Sequence, residues 1–290
     1  MSEYVIVTDS SADLTQELVE ELGVSVLPLS FTIRGTTLED HPDKRNMSSK
    51  EFYQLLRDGE MSTTNAVNVY QYEELLEPVL ESGKDVLILS FTSGLSATCQ
   101  SSMMAAEELR AKFPERKIEV VDTLCASAGQ GMLVWYAGKK RLAGESLEAV
   151  RDWCEENKMK VCHWVTVDDL MHLKRGGRIS ATTALAGTLL QIKPIIHVDD
   201  QGKLNTVDKA RGRKAALDYL VKKVADTAID PASQTMFLSH SDCLEDVEYI
   251  AGQLKERCGV KDTKICDIGP VIGSHTGPGC AVVFFFGQPR

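Results

Sequence analysis

The sequence predicts an α/β protein made of two α/β domains, the first with a mainly parallel sheet and the second with a mixed sheet. Three observations lead there. In the first half, short apolar runs such as Val86-Leu87-Ile88-Leu89 alternate with helical patterns, as strands covered on both faces do. In the second half, Ile195-Ile196-His197-Val198 and Lys203-Leu204-Asn205-Thr206-Val207 flank Asp199-Asp200-Gln201-Gly202, which reads as a hairpin and adds an antiparallel pair. A chain of 290 residues also exceeds one small core, and the division expected is 1–160 and 161–290.

Val5-Ile6-Val7-Thr8 is the first expected strand, followed by the turn Asp9-Ser10-Ser11-Ala12-Asp13. Asp13 and Gln16 have the spacing of a capping box for a helix that Gly23 closes, and Val24 to Leu29 reads as the next strand. Arg34 to Met47 is polar, contains Pro42 and reads as an exposed loop. Ser48 and Glu51 open a helix with Phe52, Leu55 and Leu56 on its apolar stripe. Met61-Ser62-Thr63-Thr64-Asn65-Ala66 reads as a hydroxyl-rich loop before an amphipathic stretch, Val69 to Glu81, that Pro78 should kink or split. After the Val86 strand come a helix from Ala97 to Phe113, a strand over Ile118 to Asp122, and helices over Ala126 to Leu142 and Leu147 to Asn157. In the second half, Val161 to Val167 is a strand, Asp168 caps a short helix ending at Lys174-Arg175-Gly176-Gly177-Arg178, and Ala181 to Gln191 is small and apolar. Beyond the hairpin, a helix from Arg211 to Ala225, strand Met236-Phe237-Leu238, helix Leu244 to Arg257, strand Ile265 to Ile268 and strand Ala281 to Phe286 complete the order.

Composition narrows the function classes. A formal charge of −10 argues against a nucleic-acid partner, whose phosphates call for a basic excess. Cys99, Cys125, Cys154, Cys162, Cys243, Cys258, Cys266 and Cys280 stand singly with no CxxC pair, so they read as reduced thiols of a cytoplasmic protein. Six histidines form no cluster of metal-ligand spacing, and no apolar segment approaches the roughly 18 residues of a membrane span. The expectation is a protein without metal, cofactor or membrane span.

The richest stretch is Ser90-Phe91-Thr92-Ser93-Gly94-Leu95-Ser96-Ala97-Thr98, where a buried strand enters a hydroxyl-rich turn and then a helix. Such a turn converges N–H groups, hydroxyls and the positive helix end on one spot, which suits a carboxylate. The plainer reading is helix capping. With Thr63 and Thr64, it could share the carboxyl edge of a parallel sheet, where ligands bind. Gly94-Leu95-Ser96-Ala97-Thr98 also imitates part of a G-x-S-x-G nucleophile elbow, broken at Thr98. A serine-dependent acyl hydrolase or transferase would use Ser96, with His240 or His275 as base and Asp242 or Asp267 behind it. Arg175-Gly176-Gly177-Arg178 could serve a phosphate, although such arginines more often make surface or interdomain salt bridges.

Taken in order, these motifs resemble the DegV family of bacterial fatty-acid-binding proteins, which includes the lipid-carrying subunit of fatty acid kinase. The resemblance runs nearly end to end. It rests on Val7-Thr8-Asp9-Ser10-Ser11-Ala12-Asp13-Leu14, Ser93-Gly94-Leu95-Ser96, Leu173-Lys174-Arg175-Gly176-Gly177-Arg178-Ile179, Lys193-Pro194-Ile195-Ile196 and the run from Ile268 to Gly279. It implies a carrier without catalysis of its own that seals a long acyl chain in a tunnel and presents the carboxylate to a separate kinase catalytic subunit, which makes an acyl phosphate. By the same resemblance the carboxylate donors fall on Thr64, with Thr63 as the alternative, and on Ser93. Gly94, Ser96 and His275 support them. Asn65-Ala66 replaces the usual Ser-Gln, and Ala97 and Cys99 replace a common Gly and Tyr. Helices over Met103 to Leu109, Met132 to Leu142 and Ala181 to Leu190 are candidate tunnel walls, or plain core. Lys209, Arg211, Arg213 and Lys214 read as a solvated face, and Arg211 and Arg213 as candidate docking residues for an acidic kinase surface.

Overall fold

A computed structural model describes residues 3–180 and 191–288. The candidate wall Ala181 to Leu190 lies outside the described residues. Four strands, β1 (Tyr4–Asp9), β2 (Ser25–Leu27), β6 (Asp85–Ser90) and β7 (Ile118–Asp122), form an all-parallel sheet in the order β2-β1-β6-β7. All of β6 is buried, which explains its unbroken apolar run. Helices α1 (Gln16–Leu22), α3 (Val69–Glu81), α4 (Thr98–Lys112), α5 (Ala128–Leu142) and α6 (Leu147–Asn157) connect or flank it.

The second sheet is mixed, in the order β10-β9-β8-β13-β11-β12. It comprises β8 (Val161–Thr166), β9 (Ile192–Val198), β10 (Leu204–Arg211), β11 (Thr235–His240), β12 (Asp262–Asp267) and β13 (Ala281–Phe286). Only β11 and β12 pair in parallel. Helices α7 (Met171–Arg175), α8 (Arg213–Thr227), α9 (Leu244–Cys258) and α10 (Pro270–Thr276) belong to this half. Buried α5 lies between the two sheets, and its small residues permit close approach: a Cβ on Gly131 or Gly138 would strike Ala12 O or Leu22. One hydrophobic core therefore runs from Ile6 and Leu87 in the parallel sheet to Val165 and Phe284 in the mixed one.

A third sheet departs from expectation. The polar stretches read as loops contain β4 (Thr36–Glu39) and β5 (Ser62–Asn65), which pair antiparallel with β3 (Ser30–Ile33) in the order β4-β3-β5. Phe31 and Ile33 pack on Phe52, Tyr53 and Leu56 of α2 (Ser49–Arg57), so packing outweighs weak local strand propensity. Three smaller expectations also change. Pro78 does not split α3, which runs unbroken from Val69 to Glu81: Pro78 and Glu74 are exposed, so the carbonyl left without its helical partner faces water while Tyr72, Leu76 and Leu80 stay packed. Thr15, not Asp13, caps α1, accepting from Leu18 N at 3.4 Å. Asp168 accepts from Lys193 Nζ at 2.6 Å, whereas Asp169 accepts from Met171 N. All eight cysteines are free thiols.

Candidate ligand-binding site

Strand β5 and helix α10, far apart in sequence, build one end of a cavity of about 260 Å³. The register sets Thr64 opposite Phe31 and Thr63 opposite Thr32, so neighbouring threonines face opposite sides. Thr64 lines the cavity, and its Oγ1 shares a 2.9 Å hydrogen bond with His275 Nε2. Thr63 is exposed and lines only an outer cleft. Of the two threonines, Thr64 is the one on the cavity wall.

His275 sits in the last turn of α10 with its Nδ1 buried and, among the described residues, without a hydrogen-bond partner. Gly176 backs directly onto that atom, and a Cβ there would overlap it. Burial, aided by the Arg178 cation, lowers the imidazole pKa to about 4, so the ring is neutral near pH 7. Arg178 donates from Nε to Leu95 O at 3.2 Å and from a terminal nitrogen to Gly176 O at 2.5 Å. Burial lowers its pKa without removing its charge, and among the described residues no carboxylate pairs with it.

Beyond this mouth the cavity is mostly apolar, walled by Leu29, Phe91, Ile196, Val271, Val282 and Phe284. A single water needs only roughly 10–15 Å³ on the same measure, so the space holds far more than one. Two inner polar residues are already engaged. Ser127 donates to Asp13 at 2.5 Å, while His163 donates from Nδ1 to Val161 O at 2.9 Å and accepts at Nε2 from Ala126 N at 3.2 Å. An outer cleft of about 250 Å³ shares Thr64, Arg178 and His275 with the cavity and adds Arg175 and His172. Arg175 donates to His172 Nδ1 at 3.1 Å, and burial together with that cation lowers the His172 pKa.

The turn after β6 differs from its sequence reading. Ser93 is exposed and does not line the cavity, and its N–H donates to Asp122 at 3.2 Å. Gly94 N–H donates to Thr92 Oγ1 at 3.1 Å, so it is no free donor. Thr92 Oγ1 in turn donates to Gly202 O at 3.1 Å, fastening the β9–β10 hairpin tip onto the turn. A Cβ on Gly94 would strike Gln201 O, so glycine permits that contact. Ser96 is the hydroxyl of this turn that lines the cavity. Its Oγ accepts from Thr98 N at 3.2 Å and lies 3.0 Å from Thr98 Oγ1.

Other assignments separate. His240 Nε2 lies 3.3 Å from Asp267, while Ser96 is bonded to Thr98 and to neither histidine. Arg213 does not stand free on a solvated face: it pairs with Asp246 at 2.6 Å and lies 3.8 Å from Asp168, whereas Arg211 is exposed at the end of β10. Arg178, which sequence assigns to a salt bridge or phosphate, reaches the cavity mouth instead. Among the described residues no cluster of three or more His, Cys, Asp or Glu could hold a metal ion, and no helix is long and apolar enough to cross a membrane.

A family model described as "Uncharacterised protein, DegV family" matches residues 3–287. The chain belongs to the DegV family. A DegV domain-containing protein of Clostridium perfringens is 45% identical over 290 residues, covering 100% of this chain and 99% of that one. Among solved DegV structures, a Thermus thermophilus protein described by its fatty acid binding has 31% identity and a TM-score of 0.86, covering 99% of this chain and 100% of that one. DegV of Bacillus subtilis, described as a fatty acid binding protein, has 27% identity and a TM-score of 0.81, covering 98% and 99%.

Proposed function

We propose that this DegV protein binds a long-chain fatty acid with its tail in the apolar cavity and its carboxylate at Thr64, Ser96, His275 and Arg178. The observation that carries this reading is an apolar cavity with, at its mouth, a threonine–histidine pair and an arginine that has no acidic partner among the described residues. Fatty acids in the related Thermus and Bacillus proteins support it. With the proton on Nε2, His275 donates to Thr64 Oγ1, which leaves the Thr64 hydroxyl proton for the ligand carboxylate. Arg178 supplies opposite charge without a deprotonation step, so the buried carboxylate is both paired and hydrogen-bonded. The tail supplies most of the gross affinity: at about 0.8 kcal/mol per methylene, a long chain contributes on the order of 10 kcal/mol. The head group selects an acid, and the tail retains it.

The same reading makes the protein a carrier that presents the carboxylate to a partner kinase inside the cell for acyl-phosphate formation. The outer cleft supports this step, because Thr64, Arg178 and His275 line both spaces and Arg175 adds a second cation where a phosphoryl donor would approach. Gentle purification, denaturing extraction and mass spectrometry test the ligand, with a long-chain fatty acid expected at near one per chain. Hydroxylamine trapping of acyl phosphate, with ATP and a fatty acid kinase catalytic subunit, tests the second step. Product that forms equally well without this protein would remove the carrier role.

A further inference from the structure

The acidic motif Asp9-Ser10-Ser11-Ala12-Asp13 gives only Ser11 to the cavity wall, yet Asp13 is buried, as is Asp40 just after β4. Both carboxylates reach the start of α10. Asp13 Oδ1 accepts from Gly269 N at 2.8 Å, and Asp40 Oδ2 accepts from Val271 N at 3.4 Å. Gly269 is the N-cap and has no side chain, while Pro270 has no N–H to donate. Two acids from the first half of the chain thus take the place of a local cap on a helix from the second half. The fit is close, since a Cβ on Gly269 would sit 2.7 Å from Asp40 Oδ2 and 3.1 Å from Asp13 Oδ1. Asp13 Oδ2 is itself fixed by Ser127 Oγ at 2.5 Å, and Tyr53 donates to Ile268 O at 2.7 Å just before the helix. His275 follows Gly269 by six residues, a rise of about 9 Å along a continuous helix.

We propose that Asp13 and Asp40 are positioning residues: they clamp the first turn of α10 and thereby hold His275 against Thr64 in the geometry that recognises a carboxylate. The inference rests on the fatty-acid reading of the site, and it assigns selectivity for the acid to two residues outside the cavity mouth. A helix only 7 residues long gains little from its own hydrogen bonds, so its orientation depends on its anchors.

The test compares palmitic acid with hexadecan-1-ol, which share a tail and differ at the head, in titrations of wild type, Asp13→Ala, Asp40→Ala, Asp13→Asn and Gly269→Ala. Each alanine substitution is expected to weaken the acid about tenfold and the alcohol less than about twofold. Asp13→Asn keeps an acceptor for Gly269 N–H and is expected to recover most of the loss. Gly269→Ala disturbs the clamp from the opposite side without removing a charge, and it reproduces the defect if the Asp variants fold poorly. Equal weakening of acid and alcohol, or an acid preference untouched in every variant, overturns the clamp. A wild type with no preference for the acid contradicts the carboxylate site instead. The clamp is then still decided by the NMR titration of His275, which is expected to move up from near 4 in the alanine variants and to stay in place if the acids do not hold the helix.

Discussion

Two hydroxyl-bearing regions border the cavity, and they use their hydroxyls differently. In the turn between β6 and α4, Thr92 bonds the hairpin tip, Gly94 N–H is taken by Thr92, Ser93 faces solvent, and Ser96 supplies the hydroxyl that lines the cavity. In the seam between β5 and α10, Thr64 and His275 meet across 211 positions beside an arginine with no acidic partner among the described residues. A local cluster of donors satisfies itself or its neighbours, because unpaired buried donors are costly. Groups available to a ligand are instead brought together by long-range packing, which prevents them from pairing locally.

The largest expected effect concerns the seam and pH. His275 titrates near 4 when folded, against an ordinary value near 6.5, so the unfolded chain binds the extra proton between those values. Wild type should lose stability relative to His275→Gln as pH falls from 6.5 to 4, by on the order of 3 kcal/mol, and no further below that. Denaturant melts across that range check it, and the titration of Asp13, common to both proteins, cancels from the difference. Next, Arg178→Gln should weaken fatty-acid binding by about 2 kcal/mol, roughly thirtyfold, in direct titration. Thr64→Val, nearly isosteric, should weaken it about tenfold and, by removing the bond to His275, cost about 1 kcal/mol of stability. Thr92→Val removes the hairpin fastening and should cost about 1 kcal/mol of stability while leaving affinity unchanged. Ser93→Ala should change neither by more than about twofold in affinity or half a kcal/mol in stability. A larger loss from Ser93→Ala than from Thr64→Val would reverse the comparison.

Most of the fold is legible because its strands are buried on both faces: Val86 to Leu89 and Ala281 to Phe286 announce themselves as continuous apolar runs, and Ile195 to Val198 as one interrupted by His197. The β4–β3–β5 sheet is not, since Thr36-Thr37-Leu38-Glu39 and Ser62-Thr63-Thr64-Asn65 become strands only by pairing with β3 over the Phe52–Tyr53 cluster. Within the site, Thr64 and His275 could be named from motifs, but which of two adjacent threonines faces inward depends on β5 register, and no register is visible in a segment read as a loop. Ser93 and Ser96 pose the same problem within one turn. Asp13 has capping-box spacing, yet its carboxylate reaches α10, 256 positions away, a contact no local pattern encodes. Arg178 is a recognisable cation, but the absence of an acidic partner among the described residues is a fact of tertiary packing.

The most direct measurement is the ¹³C NMR signal of [1-¹³C]palmitate bound to wild type, Thr64→Val and Ser93→Ala. The seam predicts one sharp carboxylate signal in wild type, shifted by Thr64→Val and unmoved by Ser93→Ala. A signal that moves with Ser93 and ignores Thr64 would contradict it, placing the carboxylate on the β6–α4 turn.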